Sequence, residues 1–479
     1  MKIAVVHYHL QPGGVTRVVE NTLAAFARQD LPHKFAALAG RPYPGDQLEN
    51  VATVEGLDYV AQEYAPSPES LADRLEDAAR ATLGSLPDIW HVHNHSLGKN
   101  PALPAALALL AERGHALLLH LHDFAEDGRP DNHRSLENVL SRLYPTGPRI
   151  RYAALNRRDH RILADLAADL APPPILLPNS IPKPPVEPAP TSGPDANLPP
   201  NLHLYPVRAV RRKNLGELAL LAAAQPDLHF ANSLGPTNPA FRPAYQRWQA
   251  FARDLGLPLT YGIGDDTPLP FPQIVAASQA LVTTSVAEGF GLGFLEPWTF
   301  GKALHGRDLP PVTSDFADAR IDLSHLYPRL DLPAELLPSD ASLDDRLHTA
   351  LHNLHQAYRR PLPPDALTQA RSSILRDGQL DFGRLDEPLQ ETLVSAVADS
   401  PGLAASIRRQ ANLSPLPRHL VDANAQAICS HYSPQAYAQK LADAYDELAA
   451  SPTGPVTYLD PQQLLTGFLR PEHLNLLRT

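Results

Sequence analysis

The chain repeats one pattern: a short apolar run of strand character, then a run with helical spacing. From the start, KIAVVHYHL reads as a strand, VTRVVENTLAAFARQ as an amphipathic helix, DIWHVHNH as a strand, PALPAALALLAER as a helix and ALLLHLHDF as a strand, with RYAALN and PPILLPNSI as further short strands. Strand and helix in alternation build βαβ units around a parallel sheet. After residue 200 the alternation resumes with strands LHLYPV, LHFANS, LTYGIG, ALVTTS and KALHG, and with helices NLGELALLAAA, PAYQRWQAFARDLG, PQIVAAS and GLGFLEPWTF. The expectation is α/β with two doubly wound, Rossmann-like domains.

Residues 182–200, PKPPVEPAPTSGPDANLPP, have no hydrophobic period and many prolines, as expected of an extended linker. The organisation expected is therefore 1–181, a linker at 182–200, a second domain at 201–430, and a closing helix and tail at 431–479. Within the second domain, residues 317–425 are mostly helical and proline-interrupted. SPQAYAQKLADAYDELAA opens with Ser433 and carries Pro434 in its first turn, a helix-start signature.

Length agrees with this division, because 479 residues with 43% hydrophobic content exceed one ordinary core. A net charge of −11 and a pI near 6.0 give no electrostatic footprint for nucleic acid or an anionic membrane surface, so small-molecule partners are expected. Cys429 is the single cysteine, which rules out an intrachain disulfide and a thiolate metal site. MKIAVVHYHL has no basic segment ahead of an apolar one, and no run approaches the ~18 apolar residues of a membrane span. A cytoplasmic protein without a transmembrane segment is the expectation.

Four stretches carry chemistry. In HLQPGGVTRVVEN, Gly13 and Gly14 lie between a strand and a helix start, where a backbone can approach a phosphate or a sugar hydroxyl; a simple turn is the plainer alternative, and the dinucleotide fingerprint is absent. In YPVRAVRRKNLGE, Arg208, Arg211, Arg212 and Lys213 follow a strand end, the place where open α/β sheets bind ligands. Arg grips phosphate oxygens in a fork, and Lys adds a mobile charge; a solvated basic loop is the alternative. HVHNH and HLHDF put His91, His93 and His95, and then His120 and His122, on common strand faces. Their spacing fits no standard zinc pattern, so sheet packing is expected, with His122 and Asp123 at a strand end facing a cleft. Finally, VAEGFGLGFLEPWTF places Glu288 on a loop, a helix start near Gly291 and Leu292, and Glu296 about one and a half turns into that helix, with Pro297 expected near its start.

Taken in order, GGVTRVVEN, DIWHVHNH, HDF, LPNSI, PVRAVRRKN, the E-x7-E segment EGFGLGFLE and the following GKAL resemble the retaining GT-B glycosyltransferases of the family 4 type. The resemblance runs from residue 1 to about 316 and again over about 430–448. It implies two Rossmann-like domains facing a central cleft, with a C-terminal helix crossing back. It also implies a nucleotide-diphosphate sugar donor, a sugar or small-molecule acceptor, and transfer of a hexose, glucose or mannose, with retention of configuration. Arg208 and Lys213 would hold the diphosphate, Glu288 the donor sugar and Glu296 the ribose. Phe290, Gly291 and Leu292 would offer backbone amides to phosphate, Gly13 and Gly14 a glycine loop, and His122 the cleft histidine. His93, Asp123, Asn179 and Arg307 are candidate acceptor or cleft residues.

A leaving nucleoside diphosphate develops negative charge that fixed cations and helix ends can meet. No D-x-D motif stands at a strand end, so no metal or other cofactor is expected. Residues 317–425 depart from the family pattern, as an insertion or altered subdomain that could cover the cleft, shape the acceptor site or mediate association. The competing functions are a sugar phosphorylase or epimerase, a non-catalytic nucleotide-sugar or glycan-binding module, a glycoside hydrolase using both glutamates, and metal-dependent hydrolysis through the histidines. Hydrolysis by paired carboxylates needs them ~5 Å apart across one bond in a retaining enzyme, which a loop and a helix position eight residues on do not suit.

Overall fold

The computed structural model describes residues 1–166, 172–184, 198–338, 342–471 and 474–478. Most of the expected linker lies outside the described residues. Two compact units account for the chain. Unit 1 is Met1–Pro182, Gln356–Arg360 and Ser430–Arg470; unit 2 is Lys183–His355, Pro361–Cys429 and Pro471–Thr479.

Unit 1 carries β1 (Lys2–His7), β2 (Lys34–Ala39), β3 (Val51–Thr53), β4 (Ile89–His93), β5 (Leu117–Leu121), the two-residue β6 (Pro145–Thr146), β7 (Ile150–Ala154) and β8 (Ile175–Leu176). Seven of these form a sheet in the order β3-β2-β1-β4-β5-β7-β8, and its pairs are parallel. Parallel sheets are covered on both faces, and β1 shows how. Ala4 and Val6 join the core beneath helices Pro68–Leu83 and Ala102–Glu112. Ile3 and Val5 join the opposite core, with Val19 and Phe26 of helix Gly14–Arg28 and Tyr437, Leu441 and Tyr445 of helix Pro434–Ala450. The late helix therefore crosses back to the first sheet. Its N-terminus is capped as its sequence indicates, with Ser433 accepting from the Ala436 amide.

Unit 2 carries β9 (Leu202–Arg208), β10 (His229–Leu234), β11 (Leu259–Tyr261), β12 (Ala280–Thr283) and β13 (Leu304–Gly306), a parallel sheet ordered β11-β10-β9-β12-β13. Strand order reverses beside β1 in unit 1 and beside β9 in unit 2. Ligands of such sheets bind at the carboxyl ends of the strands flanking that reversal.

Residues 317–425 form no compact unit of their own: most of them belong to unit 2, and Gln356–Arg360 to unit 1. They supply β14 (Asp331–Pro333), β15 (Leu375–Arg376) and β16 (Gln379–Asp381), which form a small antiparallel sheet, and several helices. Leu332, Leu347, Leu380, Phe382, Leu389 and Leu393 share one core with Leu218 and Leu221 of helix Leu215–Ala224. A last strand, β17 (Thr457–Tyr458), pairs with β6 in unit 1. The tail expected to follow the closing helix onto the first domain instead divides, and residues 474–478 pack in unit 2.

Candidate functional site: two sets of strand-end residues

In unit 2 the loops after β9 and β12 meet. Lys213 forms an ion pair with Oε1 of Glu288, and the same oxygen accepts from Ser285 Oγ at 2.5 Å. Ser285 Oγ lies 2.6 Å from the hydroxyl of Tyr205 on β9, and burial together with the Glu288 charge pushes that phenol up from its usual range. Backbone bonds lock the two loops. The Thr284 hydroxyl donates to the Lys213 carbonyl at 2.9 Å, and the Val286 amide to the Arg212 carbonyl at 2.9 Å. A cation and a carboxylate are thus fixed at the sheet's switch point.

Arg208 ends β9 with an exposed side chain that donates to the Gly235 carbonyl at 3.2 Å. Arg211, by contrast, is drawn to Glu387 at 3.1 Å. Past Glu288 the chain reaches Gly291, whose φ of +88° is left-handed and whose added Cβ would stand 2.6 Å from Val312 Cγ1. Glycine is required here on both counts. Gly291 opens helix Leu292–Thr299, which has no side-chain cap and no acid in its first turn. Amides at such a helix end can receive an anion. Phe290 is buried edge-on to Phe316, Leu292 is 40% exposed, and Glu296 lies exposed on the helix. Pro297 is sixth of the eight residues rather than near the start, so the carbonyl of Gly293 loses its helical donor. A two-turn helix tolerates this because its end is closed by amides of Phe300 and Lys302 on the carbonyls of Glu296 and Pro297.

Arg307 does not join this set. It is 4% exposed and its guanidinium is engaged by Glu217 at 2.7 Å and Asp381 at 3.0 Å, with Tyr327 also donating to Glu217 at 2.9 Å. A cation taken up by two buried carboxylates is structural, which corrects its reading as an acceptor or phosphate contact.

In unit 1, helix Gly14–Arg28 starts behind the loop after β1, again with no side-chain cap and no acid in its first turn. Gly13 is extended, and a Cβ on Gly14 would meet nothing within 4 Å. Neither glycine is demanded by the fold itself. Across β4 and β5 the imidazoles interlock: His93 Nδ1 is 2.8 Å from His122 Nε2, and His91 Nε2 is 3.2 Å from His120 Nδ1. His91 Nδ1 also meets the Tyr445 hydroxyl at 2.7 Å. Burial pulls His7, His91 and His122 down to about 3 and His93 and His120 well below their usual range, so the rings are neutral. His122 is 8% exposed, largely packed rather than open.

One nitrogen each of His91, His93 and His120 lies within 4.8 Å of the others, a grouping able to hold a metal ion. Zinc bonds of about 2.0–2.1 Å would require these rings to draw closer, and the contacts just given pair them with one another. His95 leaves the group expected of it. Asn94 turns the chain with φ +57°, and His95 Nε2 contacts the Leu143 carbonyl at 3.0 Å instead. The Asn94 side chain accepts from the amides of His122 at 2.7 Å and Asp123 at 3.1 Å, so it sets their loop; an asparagine directly after a strand is the one sequence feature that marks it. Asp123 pairs with Arg129 at 2.5 Å. Asn179 is buried after β8, its Oδ1 without a partner among the described residues.

No protein-family model matches the chain. Mannosylglucosyl-3-phosphoglycerate synthase of Petrotoga mobilis is 25% identical over 316 residues, 60% of this chain and 61% of that protein. The match thus spans less than two thirds of this relative. Sucrose-phosphate synthase of Thermosynechococcus elongatus superposes with a TM-score of 0.52 at 14% identity, over 94% of this chain and 99% of that one. A glycosyltransferase from Rickettsia africae gives 0.50 at 12%, over 94% and 98%. The fold is α/β with two doubly wound units, the GT-B architecture. Among the described residues no helix is long and apolar enough to cross a membrane.

Proposed function

We propose that the protein is a retaining glycosyltransferase that moves a hexose from a nucleotide-diphosphate sugar to a small hydrophilic acceptor or a glycan. The observation that carries this is the Lys213–Glu288 pair at the switch point of unit 2, flanked by Arg208 and an uncapped helix end. The matched relative, named as a synthase of a mannosylglucosyl-3-phosphoglycerate, makes glucose and mannose the favoured sugars and a phosphorylated hydroxy acid a candidate acceptor class.

In the proposed reaction the anomeric carbon–phosphate oxygen bond breaks, and its electron pair leaves on the diphosphate. The acceptor oxygen forms the new glycosidic bond on the same face of the sugar, and the acceptor's proton passes to the departing phosphate oxygen. Lys213 and Arg208 balance the charge gathering on that oxygen, as do the amides from Phe290 to Leu292, in a site where fixed donors need no reorganisation. Glu288 holds the sugar and stands as an electron-rich neighbour for the cationic carbon; Glu296 takes the ribose. In unit 1, His122, a neutral donor and acceptor, would contact the sugar, and Gly13 and Gly14 would admit it closely. Asp123, His93 and Asn179 are proposed for the acceptor side.

No step in this scheme calls for a metal ion. Transfer is expected to survive chelation, and Lys213→Ala and Glu288→Ala are each expected to lower transfer at least a hundredfold with circular dichroism unchanged. Normal turnover by either folded variant would overturn the assignment. The assay begins with a thermal-shift screen of UDP, GDP and ADP sugars, since a bound donor raises the Tm by mass action.

A further inference from the structure

The Lys213 loop is held from beneath by residues far from it in sequence. Asn214 adopts φ +53° and is fully buried. Its amide donates to Glu217 Oε2 at 2.9 Å, and its oxygen accepts from Gln390 Nε2 at 2.8 Å. Gln390 Oε1 in turn accepts from Arg478 Nη1 at 3.4 Å. Arg478, 2% exposed, also donates to the Arg211 carbonyl at 2.9 Å and pairs with Glu387 at 3.0 Å. Glu387 is the carboxylate that holds Arg211, whose guanidinium reaches the Leu477 carbonyl at 3.0 Å. On the other loop, Asn475 Nδ2 donates to the Val286 carbonyl at 2.9 Å, two residues before Glu288.

Residues 474–478 therefore touch both loops that present the Lys213–Glu288 pair. An arginine buried this deeply costs much desolvation even with Glu387 and the Arg211 carbonyl as partners, since its Nε has none among the described residues, and an apolar side chain would fill the space without that cost. Its partners are the backbone of one site loop and the helix residues that orient Asn214.

We propose that Arg478, with Gln390 and Asn475, is a positioning residue for donor binding: segment 474–478 ties the loops after β9 and β12 into the geometry that presents Lys213 to a nucleoside diphosphate. The proposal rests on the donor reading above. None of these three side chains need touch the ligand.

The test is calorimetric titration of the full chain with UDP, GDP and ADP. The wild type is expected to bind at least one of them, Arg478→Met to bind it at least tenfold more weakly, and Arg478→Lys to recover part of the loss. In a Lys213→Ala background, Arg478→Met is expected to add little, because residues acting through one group are non-additive. Undiminished binding by folded Arg478→Met, or full additivity with Lys213→Ala, would overturn the positioning role while leaving the donor reading intact. A wild type that binds none of the three nucleotides would instead overturn the donor reading and this inference with it. Should Arg478→Met fail to fold, Asn475→Ala, which removes one hydrogen bond to the second loop, carries the same cycle with the same outcomes.

Discussion

The polar cluster behind β4 and β5 of unit 1 and those behind β9 and β13 of unit 2 differ in ionisation state. In unit 1, His7, His91, His93, His120 and His122 are uncharged, each pulled down by burial and paired ring to ring or to backbone and Tyr445. In unit 2, Arg307 stands between Glu217 and Asp381, and Arg478 beside Glu387, each charge balanced by contact. A buried charge needs an opposite charge as well as hydrogen bonds, whereas a neutral ring has one donor and one acceptor nitrogen to satisfy and no charge to balance. The two interiors should therefore fail under different stresses.

Acid gives the largest difference. A histidine depressed in the fold contributes stability that is fully present above its unfolded value of about 6.5 and is lost as pH falls toward the folded value. Counting His95, drawn down to about 4, six such rings lie in the described part of unit 1, with further depressions at His9, His33 and His133. Each ring that takes up a proton on unfolding makes stability fall as pH drops from about 6 toward 4, so acid should weaken unit 1 steeply. Unit 2 has His305 at about 3 and smaller depressions at His203 and His229, while burial raises Glu217, which works the other way as acid is added. Hydrogen exchange at pH 7, 5.5 and 4.5 should show β1, β4 and β5 losing protection before β9 and β12. Simultaneous loss, or the reverse order, would break the comparison.

What the sequence made legible follows the range of the interactions. All five strands of the unit 2 sheet stand in their sequence runs, because each is apolar and flanked by helix or turn signals. β2 was missed: KFAALA has no β-branched residue, and its alanines suit a helix as well. In 317–425 the strands are two or three residues long, too short for any period to show. The histidines of β4 and β5 could be placed on one face by alternation, yet their pairing depends on the parallel register that sets His93 opposite His120. The Lys213–Glu288 contact joins residues 75 apart; the resemblance puts both at one donor site, but nothing in the sequence gives the ion pair. Arg307 was misread for the same reason, its partners lying 90 and 74 residues away.

That buried arginine supplies the next test. Arg307→Met keeps the length of the side chain but strands Glu217 and Asp381 in a site sealed by Gly383, where a Cβ would lie 2.2 Å from the guanidinium. Removing one partner of a buried pair costs about 3–5 kcal/mol, so the unit 2 transition should fall by that much in denaturant titration at pH 7. The matching exchange in unit 1, His91→Leu, creates no orphan charge and should cost distinctly less. Equal losses would mean that the contrast between the interiors carries no energetic weight.

The smallest effect concerns a residue that runs against its own unit. Glu126, in the loop after β5, is fully buried, and burial raises its carboxyl to about 7 despite bonds from the Tyr144 hydroxyl at 3.0 and 3.1 Å. A carboxyl raised in the fold favours folding below its unfolded value near 4.5, and that advantage is lost as pH rises through the folded value. Over a shift of about 2.5 units the loss is on the order of 3 kcal/mol, complete only above about pH 7. Glu126→Gln keeps an acceptor for Tyr144 but cannot ionise. Its gain in Tm over the wild type should thus be greatest near pH 8 and shrink toward pH 4.5, opposite in sign to the pH trend set by the histidines around it. A difference independent of pH would place the Glu126 charge in contact with water.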